Sequence, residues 1–416
     1  MVIIGSGQAA GELAAALRQE RYDGTLVMVG EEPQLPYQRP PLSKAYLAGK
    51  VDSESLHVRP RATFEKAGIE LMLGVRVESV DRERRQVILA GGREIEYSTL
   101  AFTTGGRPRR LSVPGANHPL VHYLRTIADV DAIRRRMVAG ARLVIIGGGY
   151  IGLEVASVAV RAGLHVTVLE AAERVLARVT APEVSAFYEQ VHRDAGVEIR
   201  TGAAVTSIDG LSGPDDMQSA VVVCGDGTRF EADLIIAGIG LIPNTDVAKQ
   251  AGLTVDDGIV VDEYARTSDP NIVAAGDCTR HPNRHLGRHV RLESVPNAME
   301  QARVAAATLC GRDKPYHSVP WFWSDQYDLK LQMVGISSGY ERLVLRGSLE
   351  KRSFAAFYLK DDHILAADFV NRLPDFMVTK RLVAERVLVS AEYLADETRP
   401  LKALIGPGVV PANPVA

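Results

Sequence analysis

Short apolar runs closed by glycine, each followed by an Ala/Leu/Val-rich stretch, set the pattern of this chain. Val2–Ile4 predicts a buried strand, "GSGQAAGE" a turn, residues 9–17 a helix and residues 26–29 a second strand that ends at Glu31 and Glu32. The same order returns later: a strand over 143–146, a glycine turn, a helix over 151–162, a turn at Gly163 and a strand over 166–169 that ends at Glu170. Aligning Gly5 with Gly147 also aligns Gly7 with Gly149, Ala10 with Gly152 and Glu12 with Glu154, so a whole strand–turn–helix–strand unit is repeated.

Between the two units, the paired prolines of "RPPLSK" (39–44) predict a loop. "TTGGRPR" (103–109) follows a strand over 99–102 and marks a crossing between domains. "ADLIIAGIGLIPN" (232–244) is a buried strand with a Gly/Pro exit, and "NIVAAGDCTR" (271–280) a short strand ending at Gly276 and Asp277. A helix runs from about Pro296 to Leu309. Beyond it the pattern turns to short strands (343–345, 354–358, 364–368) and a helix within 376–385, an α+β domain. The fold class is therefore α/β: two Rossmann-like nucleotide-binding domains plus a C-terminal α+β domain. The boundaries are 1–109 with 240–310, 110–239, and 311–416. The tail "IGPGVVPANPVA" reads as a loose terminus.

Composition narrows the function. The 416 residues carry a net charge of −3, which predicts no general affinity for nucleic acid or anionic membranes. No apolar run is long enough to span a membrane and no secretory signal is visible. The three cysteines, Cys224, Cys278 and Cys310, form no C-x-x-C pair, so a cytoplasmic location is expected and disulfide-reductase chemistry is disfavoured. His281, His285 and His289 are spaced by four, but Pro282 and Gly287 make that stretch a loop and no metal set is assigned. Residues 280–312 hold six arginines against two glutamates, a patch suited to an acidic protein partner.

The glycines carry the chemistry. In such a turn the first permits a tight bend, the second lets the backbone approach a pyrophosphate, and the third lets helix and strand pack. The phosphates sit on the unpaired N–H groups of the helix N-terminus. Gly147, Gly149 and Gly152 with Glu170 thus predict a dinucleotide site. A carboxylate at Glu170 accepts from ribose hydroxyls and repels a 2′-phosphate, favouring NADH over NADPH, and Arg174 reads as a surface charge. Gly5, Gly7 and Ala10 with Glu31 predict a second site. Two dinucleotides suggest a flavin, FAD, beside the nicotinamide. Asp277 suits a ribityl hydroxyl, and the helix from Pro296 aims its N-terminus at the flavin. Gly240 is placed among the cofactor contacts. Lys44 and Glu154 are expected to form an ion pair beside the nicotinamide. Glu154 is read as lying in the first helical turn, while Glu12, at the equivalent place, only complements its helix dipole. Trp321 and Trp323 are either core of the last domain or a cover between flavin and partner.

Taken together, "PPLSKAYLAGK", "GGGYIGLEVA", "RVTAPEVSAFYE", "AGIGLIPN", "ESVPNAMEQAR", "PWFWSDQY" and "VLRGSL" resemble the oxygenase-coupled NADH-dependent ferredoxin reductases along nearly the whole chain. The resemblance implies a glutathione-reductase-like fold with FAD contacts at Ala9, Glu31, Lys44, Val77, Arg125, Asp277 and Val295. It also implies ferredoxin docking at Arg303 and Lys402, with Trp323 near the electron route. The implied activity passes hydride from NADH to bound FAD, then two single electrons to an acidic 2Fe–2S ferredoxin that supplies a haem-thiolate monooxygenase. The chain itself is expected to be a monomer or weak dimer. The alternatives are a reductase component of a Rieske dioxygenase and an apoptosis-inducing-factor-like FAD/NADH-binding protein.

Overall fold

In the computed structural model, which describes residues 1–211 and 219–405, strand alternation sorts the apolar side chains into two buried layers. Met1 and Ile3 enter one core and Val2 and Ile4 another, so both faces of their sheet are covered. The loose-terminus reading of the tail falls on residues 406–416, outside the described residues.

The chain divides into two units. The first comprises 1–39, 53–107 and 241–320. Its parallel sheet runs in the order Ile272–Ala274, Leu100–Phe102, Val2–Ile4, Leu26–Gly30, Ile69–Leu73. Helices Gln8–Gln19 and Val295–Leu309 pack together on one side through small residues, with Ala10 and Ala14 sharing a core with Ala298, Ala302, Ala305 and Ala306. An antiparallel meander (Val77–Asp81, Gln86–Leu89, Glu94–Glu96) supplies part of the core on the other side. Residues 280–289, expected as loop, lie in an antiparallel hairpin of Thr279–Asn283 and Arg288–Val290. Pro282 is accommodated in one of its strands.

The second unit comprises 40–52, 108–240 and 321–416. Its parallel sheet runs Glu198–Arg200, His165–Leu169, Arg142–Ile146, Leu234–Ala237, Val121–His122. The C-terminal part adds a five-stranded antiparallel sheet of Trp321–Gln326, Leu329–Gly335, His363–Val370, Ser353–Lys360 and Arg342–Ser348, with helix Leu373–Ala384 against it. Helices Ile127–Arg134 and Pro182–Asp194 were not anticipated; each carries a start signal, the Thr126 capping box and Pro182 in the first turn. Segment 40–52, read as loop within the first domain, opens with a 3₁₀ turn (Pro40–Ser43) and groups with the second unit. It is held there by the Tyr46 hydroxyl, which donates to Asp131 at 2.8 Å, and by Arg134 lying over the Tyr46 ring.

One buried carboxyl pins the C-terminal sheet to the start of helix Pro182–Asp194. Asp368 Oδ2 accepts from Thr180 Oγ1 at 2.6 Å and from the Tyr358 hydroxyl, which in turn accepts from the Ala181 N–H. Desolvation outweighs these donors and pushes the Asp368 carboxyl up from 3.8 to about 6. Because the folded state holds this proton more tightly, the stability from the group is full below its unfolded value and is lost as pH rises through about 6, a loss approaching about 3 kcal/mol. Asp368→Asn keeps an accepting oxygen without the charge. Calorimetry of both proteins should show the Tm difference moving in the variant's favour from pH 5 to pH 8; a difference independent of pH would contradict this account.

Candidate functional site

The two glycine turns share one backbone solution. Gly5 and Gly147 both have φ +111°, the left-handed region in which a side chain is strained. A Cβ on Gly5 would lie 2.4 Å from the Thr103 carbonyl oxygen, and one on Gly147 2.5 Å from that of Gly238. Each strand therefore turns hard against its neighbour. Gly7 and Gly149 are different: a Cβ there would meet nothing within 4 Å, so open space lies over the backbone. Both are N-caps and neither offers a side chain to the helix N–H groups. By contrast, Thr126 and Ser294 do cap their helices. Two uncapped helix starts facing open space are cradles of the kind that a pyrophosphate fills. Gly152 lets its helix approach the turn, where a Cβ would be 2.2 Å from the Gly147 oxygen; its counterpart Ala10 is fully buried.

The turns diverge in what surrounds them. Glu170 reaches back over the second turn and accepts from the Gly148 N–H at 2.6 Å and the Ala172 N–H at 2.8 Å. That leaves lone pairs on the carboxylate for further donors. Glu31, equally one residue past its strand, is exposed and only 3.7 Å from Arg76. Ser6 stands where Gly148 does and packs over Gly30 beside the strand end. Arg174, expected as a surface charge, instead turns inward to the Thr180 and Ala177 carbonyls and Ser185. Gly240 lies in a left-handed conformation with open space at its Cα.

In the first unit the fold brings the Gly276–Asp277 turn to the first glycine turn. A Cβ on Gly276 would lie 3.2 Å from that of Ala9, and the Gly276 N–H donates to Gln301 Oε1 at 2.8 Å. Asp277 is within electrostatic reach of Arg39, which pairs with Glu32 and donates to the Tyr37 hydroxyl at 2.7 Å. Val77 is buried in the meander and Val295 opens its helix, whose Asn297 N–H is already taken by Ser294. Lys44, Arg125 and Trp323 belong to the second unit. There Arg125 precedes the Thr126 cap, and Trp323 is half-buried with its ring 5.6 Å from that of Trp321.

The most buried charge among the predicted residues is Glu154, 3% exposed. It is the fifth residue of helix Tyr150–Arg161, beyond the first turn, so complementation of the helix dipole is not its role. Lys44 Nζ lies 2.7 Å from its Oε2, which also accepts from the Ser43 hydroxyl, while Oε1 accepts from the Ser324 hydroxyl at 2.6 Å. Three donors on one carboxylate offset its desolvation. Ser43 and Ser324 carried no signal in the sequence beyond the neighbourhood of Lys44 and Trp323. Glu12 likewise lies past the first turn and is buried, paired with Arg303 at 2.7 Å and Arg59 at 3.6 Å. It is an anchor for arginines rather than a dipole partner.

The basic stretch is less basic once folded. Besides Arg303, Arg280 pairs with Asp256, Arg291 with Asp257 and Glu293, and Arg312 with Glu20. Lys402 is exposed on the 3₁₀ turn Leu401–Leu404. His281 is buried against Tyr316, His285 contacts the His317 carbonyl and His289 is exposed, so the three do not converge. The three cysteines are free, and among the described residues no helix is long and apolar enough to cross a membrane.

Comparison with known proteins places this geometry. Residues 1–302 match the pyridine nucleotide-disulphide oxidoreductase family and residues 321–405 the reductase C-terminal family. The chain is 50% identical over 410 residues to putidaredoxin reductase of Pseudomonas putida, covering 97% of this chain and 96% of that protein. It is 44% identical to rhodocoxin reductase of Rhodococcus erythropolis, covering 97% and 94%. The crystal structure of the covalent putidaredoxin reductase–putidaredoxin complex superposes with a TM-score of 0.93 at 50% identity, covering 97% of each chain. With both glycine turns and the C-terminal domain matched, the chain belongs to the pyridine nucleotide-disulphide oxidoreductase family, in the branch that carries a reductase C-terminal domain.

Proposed function

We infer that this protein is an FAD-dependent NADH:ferredoxin oxidoreductase that passes electrons to a 2Fe–2S ferredoxin serving a haem-thiolate monooxygenase. The observation that carries the reading is the 50% identity to putidaredoxin reductase across 97% of the chain, through both glycine turns and the C-terminal domain.

The turns fit two dinucleotides. Uncapped N–H groups and the open space over Gly7 and Gly149 suit pyrophosphates. We assign FAD to the first turn, where the Gly276–Asp277 turn closes in, and NADH to the second. Bound FAD accepts two electrons together and releases them singly. The chain's own residues bind and orient. Glu170, held by two backbone N–H groups, presents fixed acceptor positions to ribose hydroxyls and a negative charge to a 2′-phosphate. Arg174, tied to its own loop, is not presented to one. Lys44 keeps its ammonium at one place because Glu154 holds it, and a fixed cation favours negative charge that develops nearby. Arg303 and Lys402 are the assigned contacts for an acidic ferredoxin; the Glu12 pair fixes the Arg303 head group in orientation rather than leaving it mobile. The free thiols suit a reducing cytosol.

Ferredoxin-dependent cytochrome c reduction, driven by NADH and measured at rising salt, tests the assignment. A 2Fe–2S ferredoxin should be reduced faster than free FAD reduces it, with a rate that falls as salt rises. No acceleration over free FAD would end the reading. NADH should outperform NADPH, and Glu170→Ala should narrow that preference. The glycine turn separates folding from binding. Gly147→Ala should cost about 2–3 kcal/mol in chemical denaturation. Gly149→Ala should cost less than about 1 kcal/mol yet weaken NADH binding, because its methyl enters the space assigned to phosphate. Equal losses of stability in the two variants would contradict that division.

A further inference from the structure

Behind Glu154 runs a file of buried hydrogen-bonding side chains drawn from other elements of the same unit. Ser324 Oγ donates to Glu154 Oε1, and Gln326 Nε2 lies 3.2 Å from Ser324 Oγ. Gln326 Oε1 is 2.8 Å from His192 Nε2, and the Tyr327 hydroxyl is 2.9 Å from His192 Nδ1. Ser324 and Gln326 share one face of strand Trp321–Gln326, two residues apart, and His192 comes from helix Pro182–Asp194. Ser324, Gln326 and His192 are each no more than 1% exposed. Outside them the Arg161 guanidinium covers the Tyr327 ring at 5.1 Å.

The hydrogens in this file have one sense. Burial pushes the His192 imidazole down to about 4, so the ring is neutral and carries a single N–H. Gln326 donates an amide N–H to Ser324 and offers its oxygen to Nε2, so that N–H sits on Nε2 and Nδ1 accepts from Tyr327. Tyr327, His192, Gln326 and Ser324 therefore donate in sequence, and the last donates to the carboxylate. A core that needed only filling would be apolar at these positions; aligned donors ending on a charge polarise one another and stabilise it.

We propose that Ser324, Gln326 and His192 are positioning residues: the C-terminal sheet and helix Pro182–Asp194 fix the orientation and charge of Glu154, and through it the Lys44 ammonium. This gives the C-terminal domain a part in flavin reduction separate from contact with a ferredoxin. The proposal rests on the reading that the Lys44–Glu154 pair acts on the flavin.

The test uses the FAD-loaded protein and two readouts, the flavin midpoint potential and the stopped-flow rate of flavin reduction by NADH. Glu154→Gln leaves the Lys44 charge uncompensated and should raise the potential; Lys44→Met should lower it. Ser324→Ala should move the potential in the same direction as Glu154→Gln and slow flavin reduction about tenfold, with KM for NADH changed less than about twofold. Ser324→Thr, which keeps the hydroxyl, should restore both, and His192→Phe at the far end should produce a smaller shift of the same sign. If Glu154→Gln moves the potential while Ser324→Ala and His192→Phe both leave it at the parent value, the positioning role is overturned and the reading of the pair stands. If neither Lys44→Met nor Glu154→Gln alters potential or rate, that reading falls, and the proposal with it.

Discussion

A carboxylate taken out of water must find donors, and the second unit is arranged around the one at Glu154. Its position on helix Tyr150–Arg161 points it away from the helix end, so the dipole gives it little. The donors come instead from the 3₁₀ turn of segment 40–52 and from the first strand of the C-terminal sheet. Removing any of them would leave a buried charge under-solvated, which is why a short proline-rich segment is held against a distant helix. The Tyr46–Asp131 bond and the Arg134–Tyr46 contact secure the same segment from the other side.

The repeat shows how little change separates two uses of one turn. The backbone is the same in both copies down to the left-handed first glycine and the open space over the second. One difference falls at the middle of the turn, where Ser6 stands in place of Gly148. Beside Gly148 the terminal acid folds back and bonds the loop; in the first turn Ser6 packs over Gly30 and Glu31 stands exposed near Arg76. One turn farther along the helix, Glu154 binds a lysine from segment 40–52, whereas Glu12 binds two arginines. Equivalent carboxylates in the repeat thus hold cations in place in different surroundings.

Much of this was legible in the sequence because it is local. A strand, a bend only glycine tolerates and a helix that packs on the strand occupy consecutive residues, so Gly5, Gly147, Glu170 and helix Val295–Leu309 could be placed without a structure. The Lys44–Glu154 pair was reached by chemistry alone, since nothing local links residues so far apart. The misses are long-range or depend on tolerance. Pro282 reads as a strand breaker but sits in a hairpin strand. Counting charge along 280–312 could not see Asp256, Glu12 and Glu20, which the fold brings in. Ser324 and Glu154 lie 170 residues apart, and only tertiary structure joins them.

The interleaving of the two units has a consequence for how the protein is made. The parallel sheet of the second unit is complete once its Leu234–Ala237 strand has emerged, whereas that of the first needs Ile272–Ala274 at its edge and helix Val295–Leu309 over its face. The Leu100–Phe102 strand, which pairs with Ile272–Ala274, therefore stays an open edge while roughly the next domain's length of chain is synthesised. Sheet completion thus runs in the reverse of sequence order: the later parallel sheet closes before the earlier one. Premature termination anywhere before the Ile272–Ala274 strand would leave the first sheet with an open, hydrophobic edge and make it a natural substrate for chaperones.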